Sequence, residues 1–210
     1  NFAGELELSA VTIVVPYVNF LFAIAIITGV GSQTIIGIEL GKGNRDEANK
    51  VFTFIILFIL SFSIILALIG IIFMNQIISF LGADSTLFQL SHDYLSVIVF
   101  FSPFYIIAYA FEVLVKVDGF PKTAIIGALS ACLTNIILDY VLIDKFQLGV
   151  RGAALATIIG QMGGALVGVY FHTHKNKEVN FEFHKFRFHG DILRQIFTIG
   201  LPSIIMSGIG

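Results

Sequence analysis

The most informative chemical feature of the sequence is a carboxylate within an apolar stretch. Asp139 follows Asn135 by four residues, so the two side chains share one face of a helix. If that helix lies in a bilayer, the carboxylate costs at least ~2.5–3.5 kcal/mol to insert. Extending the same row backwards gives Ala131 and Gly127. Because small and polar residues favour helix contacts in membranes, we expect this face to pack against another helix, away from lipid.

The next apolar stretch supplies a partner for that face. Small residues repeat there every four positions, at Gly152, Ala156, Gly160, Gly164 and Gly168. The turn between the two stretches centres near Gln147, so Asp139 and Thr157 should lie at similar depth, with Tyr94 at a compatible depth on an earlier helix. Together with Asn135, these oxygens would suit a hard cation such as Na⁺, or Asp139 would serve as a proton acceptor.

Simpler interpretations stay open for the acidic residues. Asp139 would also be explained by a structural hydrogen bond or by extension of its carboxylate to the membrane surface. Glu112 lies one helical turn before Lys116, and the spacing favours a structural ion pair. Histidine pairs occur near the fifth linker, but no third metal ligand stands beside them, so we expect no metal site beyond Na⁺.

The elements that must position these residues are membrane-spanning helices. Hydrophobic residues make up 57% of the chain and charged residues only 12%, against about 25% charged in soluble domains. Runs of about 20 apolar residues are long enough to cross a bilayer as helices and about twice the length of a transmembrane strand. The fold class is therefore all-α, a polytopic integral membrane helical bundle, with complete spans at about 11–38, 51–73, 94–115, 124–143 and 153–171 and a truncated span from 192 to 210.

The basic residues indicate how the spans are oriented. Ten of the twelve Lys and Arg residues fall in the linkers after the first, third and fifth spans, if Arg194 at the very start of the last span is counted with the fifth linker. The positive-inside rule therefore assigns those linkers to the cytoplasm and Asn1 to the outside. We expect that both chain ends are cut and that a further span precedes Asn1. The net charge of −2 argues against nucleic acid binding, and residues 172–191 form a cytoplasmic loop suited to a lipid surface.

Several short segments, taken in order, resemble the multidrug and toxic compound extrusion (MATE) family. The resemblance rests on Gly29-Val30-Gly31-Ser32-Gln33, Leu40-Gly41-Lys42-Gly43-Asn44-Arg45, Val117-Asp118-Gly119-Phe120-Pro121-Lys122, Asn135-Ile136-Ile137-Leu138-Asp139 and Gly149-Val150-Arg151-Gly152-Ala153. It runs over nearly the whole chain, and the order and spacing of the segments are more specific than any one of them.

The resemblance implies a twelve-helix transporter made of two six-helix lobes. Residues 1–171 would then be most of the N-terminal transmembrane lobe, 172–191 the loop between lobes and 192–210 the start of the C-terminal lobe. Members of the family export drugs or metabolites, often organic cations, in exchange for Na⁺ or H⁺, and use no other cofactor. The family's cation site implies roles for Asn135, Asp139 and Thr157, completed by an acid on a helix that would precede Asn1. Candidate polar residues of the substrate cavity are Asn19, Gln33 and Gln161.

Each alternative function requires particular residues in the spans. A lipid or lipid-linked oligosaccharide flippase of related architecture would need basic residues within the spans, and the five complete spans contain none. An intramembrane enzyme would need two catalytic groups at one depth, whereas only Asp139 is available. A non-transporting structural subunit would leave Asp139 insensitive to substitution. The sequence therefore favours a multidrug exporter of the cytoplasmic membrane, with the bilayer and a small organic substrate as its partners.

Overall fold

The computed structural model describes residues 4–117, 119–174, 179–182 and 190–206. Over these residues the chain is helical and contains no β-strand. The helices are α1 (Glu5–Gly41), α2 (Arg45–Ile72), α3 (Met74–Phe80), α4 (Phe88–Val117), α5 (Pro121–Asp139), α6 (Gly149–His174) and α7 (Gly190–Met206). A π-helical turn, Tyr140–Lys145, continues α5.

Five of the described helices are long and apolar enough to span a membrane. They are α1, α2, α4, α5 with its π-helical turn, and α6 up to Val167. Each overlaps one of the five spans predicted from hydropathy. The predicted all-α membrane bundle is therefore confirmed, and the apolar stretch after residue 191 lies in α7.

Local signals in the linkers explain where two of the helices begin. The Asn44 side chain accepts a hydrogen bond from the Glu47 amide at 3.4 Å and so caps α2. Pro121 occupies the first turn of α5, where a missing amide hydrogen costs nothing. The linkers between these helices are short, so α1, α2, α4, α5 and α6 run alternately up and down.

The interior of the bundle is built around α4. This helix contacts α1, α2, α3, α5 and α6. Its buried Leu95 and Ile106 belong to the same core as Phe52 and Ile55 of α2. The outer surface is also apolar, as a bilayer requires. On α5, for example, Leu129, Leu133, Ile136 and Ile137 are each more than half exposed.

Helices α1 and α7 cross at two glycines. A Cβ atom added to Gly31 would overlap the carbonyl oxygen of Ile196, and one added to Gly200 would overlap the carbonyl oxygen of Ile27. Each helix thus places a glycine against the backbone of the other. The two backbones approach more closely than any side chain would allow.

A short segment after α6 is held against the start of α2 by hydrogen bonds. The Asn49 carboxamide accepts from the amide of Asn180 at 2.8 Å and donates to the Glu182 carboxylate at 2.9 Å. The Glu182 amide donates to the Thr53 hydroxyl at 2.9 Å. Asn49 and Thr53 are buried, and so is Val179. We call this set of contacts the loop clamp. Residues 175–178 and 183–189 of the predicted inter-lobe loop lie outside the described residues.

We predict that opening the loop clamp exposes the Glu182 amide to solvent. Asn49→Ala removes both contacts of the carboxamide and leaves the Asn180 amide without its partner, at a cost of about 1–3 kcal/mol. Hydrogen exchange of the Glu182 amide, which donates to Thr53, should then accelerate roughly 5- to 150-fold in the full-length protein, following the opening equilibrium. Asn75→Ala, at an exposed position on α3, is the control. Equal exchange rates for the two variants would contradict the clamp.

Candidate functional site

The site is positioned by close packing of α5 against α6. A Cβ atom on Gly160 would lie 2.7 Å from the carbonyl oxygen of Ala131, and one on Gly164 would lie 3.2 Å from the carbonyl oxygen of Gly127. The small-residue row of α6 therefore meets the Gly127, Ala131, Asn135 row of α5. This confirms the predicted contact between the two rows. It places the polar residues of the two helices side by side.

Asn135 and Thr157 meet across this helix interface. The Asn135 amide nitrogen donates to the Thr157 hydroxyl at 3.5 Å, and that hydroxyl donates to the Ala153 carbonyl at 3.0 Å. With its amide nitrogen directed to Thr157, Asn135 keeps its carboxamide oxygen as an acceptor. The hydroxyl oxygen also keeps a lone pair. Two neutral oxygen atoms thus lie on facing helices, and their predicted role as cation ligands stays a prediction.

Asp139 lies one turn beyond Asn135, as the last residue of α5 before the π-helical turn. Its side chain is half-buried and interacts electrostatically with the hydroxyl of Tyr94, which is itself buried in α4. Tyr94 and Asp139, which were predicted to lie at compatible depths, are thus related by an electrostatic interaction. A π-helical turn widens the helix and is frequent at functional sites.

A cavity of about 300 Å³ lies between α4, α5 and α6. Its volume is at the lower end of the range for small-molecule sites. Most of its wall consists of small or neutral side chains. The lining residues are Ala108, Glu112, Val115, Thr123, Ala124, Gly127, Ala128, Ala131, Cys132, Asn135, Thr157, Gln161, Gly164 and Ala165.

The cavity has two chemically different ends. Glu112 and Thr123 lie near the end of α4 and the start of α5, close to Lys116 and Lys122. We call this the basic end. Asn135 and Thr157 lie at the other end, next to Asp139. The cavity thus leads from the basic end to the oxygen-bearing residues.

The candidate substrate-cavity residues separate into two groups. Gln161 lines the cavity, together with Asn135 and Thr157. Asn19 and Gln33 lie on α1, which contributes no residue to this wall; Asn19 is exposed and Gln33 half-buried. The geometry brings Gln161 to the site and leaves the two α1 residues outside this cavity.

Glu112 belongs to the site although the sequence favoured a structural role for it. The expected ion pair is present, with the Lys116 ammonium 2.8 Å from the Glu112 carboxylate. The same carboxylate-bearing residue also lines the cavity. One sequence signal for the position of Glu112 in the cavity wall is its four-residue spacing from Ala108, a small residue on the same helix face.

The described part of the chain places no metal-binding cluster beside this site. Among the described residues, no group of three or more His, Cys, Asp or Glu side chains is placed to hold a metal ion. The side chains of His172, His174, His184 and His189 lie outside the described part.

Comparisons with known proteins identify relatives of the whole chain. The family model described as MatE matches residues 1–141. The multidrug export protein MepA of Staphylococcus aureus (strain MRSA252) is 31% identical over 210 residues, covering 98% of this chain and 47% of the relative. The chain therefore spans about half the length of the curated relatives it matches.

Solved structures show the same fold. A MATE family transporter of the MOP superfamily matches in its inward-facing conformation with a TM-score of 0.90 and 23% identity, over 96% of this chain and 46% of that one. A MATE transporter of the same superfamily in the outward-facing conformation matches with a TM-score of 0.90 and 22% identity, over 97% and 45%. The fold of this chain thus resembles both conformations equally. By the family match over residues 1–141, the chain belongs to the MatE family of multidrug and toxic compound extrusion transporters.

Proposed function

We propose that this chain is most of the N-terminal lobe of a secondary active multidrug exporter in the cytoplasmic membrane. The full protein would exchange organic, often cationic, drugs or metabolites for Na⁺ or H⁺. The observation that carries the proposal is the hydrogen-bonded pair Asn135 and Thr157 at one end of a cavity, with Asp139 one turn beyond.

The oxygen atoms near Asp139 support a role for this group in ion coupling. The Asn135 carboxamide, the Thr157 hydroxyl and the Asp139 carboxylate supply two neutral oxygens and one negative charge, which suits Na⁺. Protonation of Asp139 would neutralise the same group, so the ligands serve either ion. Coupling requires the ion to bind one conformation of the transporter more tightly than the other.

The cavity wall supports an organic cation as the substrate class. Among the described residues, its lining includes one acidic side chain, Glu112, and no basic one. A flippase that carries anionic lipid headgroups would need basic side chains in the wall. Small residues such as Ala128 and Gly164 leave room for aromatic or aliphatic parts of a drug.

The orientation follows from the linkers. Lys42, Lys50, Lys116 and Lys122 lie on the side that contains the basic end of the cavity. The positive-inside rule assigns that side to the cytoplasm. Substrate would then approach the cavity from the cytoplasmic side, as export requires.

The proposal is tested by ethidium transport in proteoliposomes that contain the full-length protein. An imposed Na⁺ gradient and an imposed pH gradient are applied separately, in the direction that drives exchange. We expect one of them to stimulate ethidium transport, and an ionophore that collapses that gradient should remove the stimulation. Transport that responds to neither gradient, or no transport at all, would contradict the proposed exchange.

A further inference from the structure

We propose that Glu112 and Lys116 form an exchangeable ion pair at the basic end of the cavity. An organic cation that enters from this end would take over the Glu112 carboxylate, and Lys116 would be released to water. Glu112 is then a substrate-contacting residue and Lys116 a built-in competitor of the substrate. This inference rests on the proposed export of cations and specifies how the cavity selects them.

Glu112 and Lys116 form an ion pair, but only Glu112 borders the cavity. The Lys116 ammonium lies 2.8 Å from the Glu112 carboxylate across one helical turn of α4. Glu112 lines the cavity, whereas Lys116 is not part of its wall. Lys116 therefore contacts the carboxylate from outside the wall, and its side chain is 36% exposed. A cation inside the cavity would therefore meet the same side chain that Lys116 pairs with.

The charges of the wall make Glu112 the natural partner for a cation. Each of the other lining residues is apolar, glycine, hydroxyl-bearing, an amide or cysteine. Asn135, Thr157 and Gln161 offer dipoles at a distance from the basic end. Asp139 lies beyond the far end and is assigned to the coupling ion. A cationic drug that fills the cavity therefore meets one full negative charge in its wall.

The ion pair is weak enough to exchange. A half-exposed pair four residues apart on a helix changes an equilibrium by only about two-fold, because water and salt screen it. The Glu112 side chain is 32% exposed, which places it within that class. A cation held in the cavity is less accessible to water and salt than the Lys116 ammonium, so its attraction to the same carboxylate is stronger than that of the surface pair. It also buries its apolar groups in the cavity. Exchange of Lys116 for substrate thus costs little.

The test compares substitutions of Glu112 and of Lys116, which should change the KM for ethidium in opposite directions. In the full-length protein, Glu112→Gln should raise the KM for ethidium by roughly 10-fold or more, since the cation loses its counter-charge. Lys116→Met should lower that KM by about two-fold, since the competitor is removed. The double variant should have the KM of Glu112→Gln alone, because Lys116 acts only through Glu112. A merely structural pair would instead impair both single variants in the same direction.

The outcomes separate this inference from the proposed function. If wild-type protein shows no gradient-driven ethidium transport, the proposed export fails and the inference with it. If wild-type protein transports ethidium but Lys116→Met leaves KM unchanged or raises it, the inference alone is overturned. The Lys116 variant decides the test even if Glu112→Gln does not fold, because Lys116 lies on the surface.

Discussion

Replacement of Asp139 by Asn is expected to abolish ion-dependent export by the full-length protein while leaving its expression intact. Asn has nearly the same shape as Asp, so the packing around the end of α5 should survive. The change removes the negative charge that would hold Na⁺ and the group that would accept a proton. Ethidium transport driven by the coupling gradient should fall at least roughly 10-fold, toward the rate of empty liposomes.

A matched control lies five residues later. Asp144 is an exposed residue of the π-helical turn, and its carboxylate pairs with Lys145 at 3.4 Å. Asp144→Asn makes the same chemical change outside the candidate ion site and should retain gradient-driven transport. Normal efflux by the Asp139 variant, or equal loss in both variants, would show that Asp139 has no special role in coupling.

The second large effect is expected at the crossing of α1 and α7. Gly31→Ala places a methyl group where the Ile196 carbonyl oxygen now lies. Backbone cannot rotate away as a side chain can, so the two helices must separate and lose packing along their contact. We expect a loss of about 1–3 kcal/mol in the free energy of unfolding. Thermal unfolding of the full-length protein in detergent measures it.

Gly37→Ala is the internal control for this prediction. Gly37 lies on the same helix and has no atom within 4 Å of an added Cβ. Because alanine favours helix more than glycine does, this change should stabilise the protein by about 0.5–1 kcal/mol. The two Gly→Ala variants of α1 should therefore shift the unfolding temperature in opposite directions. A parallel shift would mean that helix propensity, and not the crossing, determines the result.

Much of the fold is predictable because its signals are local. Each span is a long apolar run, and its length alone distinguishes helix from strand. The contact between α5 and α6 was also predictable, since the small residues recur every four positions on both helices. Asn135 and Thr157 then had to meet, because the short turn near Gln147 fixes their relative depth.

Other features have no local signal in the sequence. The loop clamp joins Asn49 to Asn180 across 131 positions through a side chain and a backbone amide, and no periodic pattern predicts such a pair. The π-helical turn after Asp139 contacts α6, and the sequence near Asp139 has no local signal for that contact. The position of Glu112 in the cavity wall was not predicted. Lys116 one turn later is a sufficient structural partner for this carboxylate, so the spacing provided no reason to assign Glu112 to a cavity. Asn19 and Gln33 were polar residues in apolar runs, but polarity alone does not determine which helix face borders a given cavity.

The loop clamp also limits how far α7 can move from the helices that precede it. From Glu182, the clamped residue, eight residues of chain lead to Gly190, the start of α7. Fully extended, that tether reaches at most about 28 Å, at ~3.5 Å per residue. Released from Asn49 and Thr53, the tether would begin at His174, the end of α6, and be about twice as long. The effective concentration of a tethered segment falls as roughly the −3/2 power of tether length. Release of the clamp would therefore lower the effective concentration of α7 near α1 about three-fold.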